Sequence, residues 1–150
     1  MKENTIKAVL AAALGALASY GTQLIVPAII LVAVMVLDYI TGMAKAWQAG
    51  ELSSRVGIGG IIKKVGYLVI VAVACVLDWL VRYGADQMGL NWQLDFLIAS
   101  IVVIWLVINE LISILENVAA LGAPVPGFLQ SLIKRLKVSV EDKIEPKEET

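Results

Sequence analysis

Three predominantly apolar stretches, 24–47, 61–83 and 94–121, are each long enough to cross a lipid bilayer, and nothing else in this 150-residue chain restricts its fold so severely. About 20 helical residues, rising 1.5 Å each, span roughly 30 Å of hydrocarbon. Each stretch is apolar around its whole circumference, the pattern of a buried or lipid-facing helix rather than of a soluble amphipathic one. Hydrophobic residues make up 59% of the chain, charged residues only 17%, and mean hydropathy is +0.84. A compact soluble domain of this size still exposes roughly a third of its chain surface to water, so lipid is the solvent that accommodates such a composition. The expected fold is an all-α polytopic transmembrane bundle. Trp47, Trp79, Tyr83 and Trp92 stand near the ends of the stretches, where amphipathic rings favour the headgroup level.

The opening segment, 6–20, is Ala-rich and apolar but short for a span. One reading is a signal peptide with Ala16-Leu17-Ala18 as its small-residue cleavage site. The other is a retained helix that turns at Gly21-Thr22-Gln23 into the next, with Ala11, Gly15 and Ser19 forming a small-residue face. On the second reading residues 1–122 form a transmembrane domain with helices at about 6–20, 24–47, 61–83 and 94–121. In the first connection, Ser53 and Ser54 supply a helix N-cap. After the last span, Gly122 suits the position just past a helix end, and Pro124 cannot continue the helix.

Lysine and arginine set orientation. The first loop is assigned Lys45, Arg55, Lys63 and Lys64, the second only Arg82, and the tail Lys134, Arg135, Lys137, Lys143 and Lys147. Two spans separate the first loop from the tail, so both are expected on the cytoplasmic side of the membrane. Lys2 and Lys7 join them there if the opening helix crosses. Within 123–138, Phe128, Leu129, Leu132, Ile133 and Leu136 share one helical face. A basic amphipathic helix beside a span is expected on an anionic inner leaflet, held by Lys134, Arg135 and Lys137; the alternative is packing on its own protein. Residues 139–150 alternate in charge without apolar period and read as disordered.

The chain has no His and a single Cys, Cys75, inside an apolar run where it reads as a small packing residue. Neither a nucleophile–base pair nor a phosphate loop nor a metal-ligand set is legible. The expectation is a non-enzyme without cofactor, metal or nucleic-acid partner. The informative residues are ionisable or polar groups inside spans, each of which costs about 2.5–3.5 kcal/mol to insert at the centre if charged. These are Asp38, Asp78, Asn109 and Glu110, with Gly42 one turn from Asp38 as a close-approach site. They are expected to face a bundle interior, a subunit interface or a water-filled lumen. Asp78 is also close enough to an interface to stay wet, and it stands i, i+4 from Arg82.

The order of several strings resembles the toxin-secretion/phage-lysis holin family. Asp38-Tyr39-Ile40-Thr41-Gly42 is followed by Gly50-Glu51-Leu52-Ser53-Ser54, Gly57 and Gly60-Ile61-Ile62-Lys63-Lys64-Val65. Leu77-Asp78, Asn109-Glu110 and Ser113-Ile114-Leu115-Glu116-Asn117 come next, then Leu121-Gly122-Ala123-Pro124-Val125-Pro126, Leu129, Leu132 and Leu136. The resemblance covers about Leu37 to Lys137. It implies a phage or prophage protein that associates with itself in the cytoplasmic membrane and opens lesions, through which an endolysin or a toxin leaves without necessarily binding it. Such families are described with three spans and an outside N-terminus, against the four spans suggested by Lys2 and Lys7. An antiholin of the same fold, a small ion channel and a proton-coupled transporter are the competing classes.

Overall fold

A computed structural model describes residues 22–90 and 96–144. The expected opening helix at 6–20 and Trp92 lie outside these residues. Among the described residues there are four helices and no strand: α1 Thr22–Gln48, α2 Ser54–Gln87, α3 Leu97–Ala120 and α4 Gly127–Ile144. The first three are long and apolar enough to cross a membrane, so the protein is an all-α, multi-pass membrane bundle.

Each of the three ends in the same way. Gly50, Gly89 and Gly122 have φ of 71°, 72° and 91°, a left-handed conformation that a side chain disfavours. In each case the amide of the glycine and that of the following residue return to carbonyls of the last turn, as in Glu51 N to Ala46 O at 2.9 Å. The start of α2 departs from the expected 61. Ser53 is extended (φ −146°), and its hydroxyl accepts a hydrogen bond from Val56 N at 3.3 Å, so the helix begins at Ser54. The first connection shrinks to 49–53, and Lys63 and Lys64, assigned above to that loop, lie well inside α2.

Packing is organised around α3. Ala99, Val103, Leu106, Glu110 and Asn117 recur along it three, four or seven residues apart, and all are buried. Leu24, Leu31, Val34, Met35 and Asp38 of α1 meet this stripe. By contrast, α2 buries only the small residues Gly57, Ala74 and Ala85. About 28% of the apolar window of α1 or α3 is buried, against 11% for α2. The outward residues of α2, among them Val69, Val73, Val76 and Leu80, are half-exposed and belong to lipid or to other helices. Its approach to α1 is narrow: the Tyr39 side chain lies against Gly57 and Gly60, where an added Cβ would come within 3.3 Å of its hydroxyl and 3.2 Å of its ring respectively.

The fourth helix runs to Ile144, six residues past the expected bound at 138, and the residues 139–144 read as disordered are helical. It turns back along α3. Ile133 is buried, its neighbours including Ile112, Leu115 and Glu116. Farther along, Trp105 Nε1 donates to Glu141 Oε1 at 2.9 Å, and Lys137 Nζ stands 6.0 Å above the Trp105 ring. The structure therefore shows α4 packed on its own protein, one of the two seats expected of it. An apolar face shows that a helix is covered, but not by what.

Candidate functional site

Asp38 stands ten residues before the end of α1, Lys64 ten after the start of α2, and Glu110 ten before the end of α3. Because the helices alternate in direction, these positions share one level, about 15 Å from the end of the bundle that holds the first connection. That is near the middle of a hydrocarbon layer. There the three side chains meet.

Lys64 Nζ donates to Asp38 Oδ2 at 2.7 Å and to Glu110 Oε2, bridging α1 and α3 from α2. Asn117 Nδ2 donates to Asp38 Oδ1 at 3.1 Å and reaches Thr41 Oγ1 at 3.4 Å. Thr41 in turn bonds the carbonyls of Leu37 and Asp38 in its own helix. Glu110 is fully buried (0% exposed), and its Oε1 has no hydrogen-bond donor among the described residues. A second cation, Lys63, stands near that oxygen, its Nζ 4.0 Å away and 5.4 Å above the Tyr67 ring. Lys63 is half-exposed, so it closes the cluster from the rim.

Two carboxylates against two ammoniums leave the group formally neutral. Neutrality matters at this depth, since an unpaired charge in a low-dielectric interior is far costlier than a paired one. Breaking one such pair typically costs about 3–5 kcal/mol. The cluster also joins α2 to the α1–α3 pair, where apolar packing is thin. It is a polar fastening between helices that otherwise touch sparingly.

Asp78 occupies a separate position toward the opposite end. Its Oδ1 accepts from Ile98 N at 2.9 Å and its Oδ2 from Ala99 N at 2.7 Å. The first residues of a helix have amides without intrahelical partners, and a carboxylate there also meets the positive end of the helix dipole. Phe96, the residue at the cap position of α3, has φ 56° and no capping side-chain bond. Asp78 supplies the missing cap from another helix. Just beyond it Trp79 and Tyr83 stack at 5.5 Å between centroids, at the level expected of an interfacial belt.

The remaining sequence-predicted residues are spread out. Gly42 faces Asn117, with an added Cβ 3.5 Å from its Nδ2, so the helices approach there in ordinary contact. Asn109 is half-buried on α3 outside the cluster. Lys45 is in the last turn of α1 and Arg55 in the first turn of α2. Lys134 and Arg135 are exposed on α4, while Lys137 is half-buried and 3.9 Å from Glu141.

Four members of the cluster escape a reading for in-span acids: Lys63, Lys64, Asn117 and Thr41. The equal depth of Asp38, Lys64 and Glu110 was available as a signal once Ser53 fixed the start of α2.

The profile of the bacteriophage holin family matches residues 15–138. A probable holin of Bacillus phage phi105 is 31% identical over 73% of this chain and 73% of its own length. An uncharacterised protein of Clostridium perfringens strain 13 is 43% identical over 73% of this chain and 74% of its own. Another, from Halalkalibacterium halodurans, is 41% identical over 87% of this chain and 90% of its own. No solved structure matches.

Proposed function

The chain belongs to the bacteriophage holin family, and we propose that it self-assembles in the bacterial cytoplasmic membrane and permeabilises it, so that an endolysin (or a toxin) crosses. The observation that carries this reading is the mid-span cluster of Asp38, Lys64, Glu110 and Asn117. In a single chain these charges are satisfied internally, which lets the chain sit in lipid without exposing them. The same groups become a hydrophilic wall if α2 parts from α1 and α3, and neighbouring copies can then share water among their polar faces. Small contact residues on α2, and its largely exposed apolar surface, support association with further helices by close packing. The protein acts by opening a barrier rather than by catalysing a reaction.

In this reading the connection at 49–53 and the C-terminal segment face the cytoplasm, as the Lys/Arg pattern suggests. Lys134 and Arg135, exposed in the first half of α4, are then the basic residues nearest the anionic headgroups.

The test is expression of the protein alone in a bacterium, following optical density, membrane potential and escape of a co-expressed cytoplasmic enzyme. Abrupt potential collapse at a fixed time with enzyme release is expected. Ion leakage without enzyme release indicates a narrow channel, and ligand-dependent proton flux without toxicity a transporter. Silence alone, with delayed lysis when a lytic holin is co-expressed, indicates an antiholin. Each of these three outcomes overturns the proposal.

A further inference from the structure

The seat of α4 is incompatible with an intact bilayer around it. Trp105 lies fifteen residues before the end of α3, so its bond to Glu141 places the C-terminal part of α4 about 22 Å along a membrane span. At that depth Asp142 is exposed on the side of α4 that looks away from α3, and Arg135, about 9 Å nearer the end of the span, is exposed on the same side. Lipid there would surround charged side chains that no described residue covers. Water would solvate them.

The apolar side of α4 tells the same story. The face turned to α3 consists of Leu129, Ile133, Lys137 and Glu141, one or two turns apart. Beside it Phe128, Leu132 and Leu136 form a second apolar row, and they remain exposed at 73%, 50% and 47%. The seat on α3 thus uses only part of the apolar sector. What remains is an apolar flank along one side of the helix and a charged back on the other, as suits a helix at a boundary between hydrocarbon and water.

We propose that α4 has two seats, lying on the inner leaflet while the bilayer is intact and docking along α3 where the bilayer has opened, with Arg135 and Asp142 lining the water-filled lesion. The inference rests on the permeabilising function above. It adds to the polar faces of Asp38, Lys64 and Glu110 a second stretch of lesion wall, the α3 face around Trp105, Ile112 and Glu116 covered by α4. The Trp105–Glu141 hydrogen bond and the Lys137 contacts are the fastening of the open seat.

The test is time-resolved cross-linking in cells expressing the full chain with Cys75→Ser. Two paired variants, Trp105→Cys/Glu141→Cys and Glu116→Cys/Gln130→Cys, are each treated with a short membrane-permeant bis-maleimide, while entry of an impermeant dye marks opening. Cross-linking between α3 and α4 is expected to stay at background before dye entry and to rise to most of the protein at that moment. A cross-linked fraction equally high before dye entry overturns the proposal by making α4 a constant part of the bundle. So does a fraction that never rises after dye entry in either pair. If dye never enters at any expression level, the permeabilising function itself is at fault, and that outcome is separate from the other two.

Discussion

Replacing Lys64 by alanine should be the most damaging single change to this bundle. The substitution removes the cation that bonds Asp38 at 2.7 Å and also bonds Glu110, and it leaves two carboxylates near mid-span. Only Lys63, 4.0 Å from one Glu110 oxygen and half-exposed, remains to compensate. Uncompensated buried charges of this kind cost about 3–5 kcal/mol, equivalent to roughly two to three and a half orders of magnitude in the folding equilibrium. Repeating Lys64→Ala in an Asp38→Asn/Glu110→Gln background separates charge from packing, because the carboxylates are then already neutral. There the lysine is itself the unpaired group, and its removal should cost little or stabilise. The assay is reversible unfolding in mixed micelles, followed by tryptophan fluorescence, for the four chains of the cycle. A coupling of about 3–5 kcal/mol is expected, at or above the upper end for residues in contact. If Lys64→Ala costs under about 1 kcal/mol, or the same amount in both backgrounds, the bridge does not hold α2 to its neighbours.

Further outcomes follow from the other polar and close contacts. Asp78→Ala should destabilise by about 1–2 kcal/mol and speed hydrogen exchange at the amides of Ile98 and Ala99, with Asp78→Asn intermediate. Unchanged exchange at both amides would show that α3 is capped by something else. Gly60→Val drives a side chain into the Tyr39 ring, 3.2 Å from the nearest added carbon, and should cost about 1–3 kcal/mol. Most of that loss should disappear in a Tyr39→Ala background; a loss of equal size there places the strain elsewhere.

Much of the bundle was legible because its signals are local. Apolar length located three spans, Ser53 and Gly122 chose their own caps, and Asp38 and Glu110 stood out as acids in lipid-length helices. Lys64 was not legible as a site residue for a simple reason. The apolar run begins at Ile61, which makes Lys63 and Lys64 look like residues at an interface, whereas the cap at Ser53 puts them ten residues deep. The cap role of Asp78 and the seat of α4 depend on contacts twenty or more residues apart in sequence, which no periodicity encodes. Residues 139–144 are helical partly because Glu141 finds Trp105, and charge alternation alone gave no sign of that partner.

The most direct measurement concerns the mid-span charges themselves. An Asp38→Asn/Lys64→Met/Glu110→Gln variant removes every charge from the bridge while keeping its shape, and replacing a complete buried ion group in this way is often neutral or favourable for stability. Expressed at membrane levels matched to the wild type, it should fold and insert yet release a co-expressed cytoplasmic enzyme late or not at all, because the bridge between the helices no longer has charges to present to water. Release with wild-type timing and extent would contradict a part for Asp38, Lys64 and Glu110 in opening the membrane.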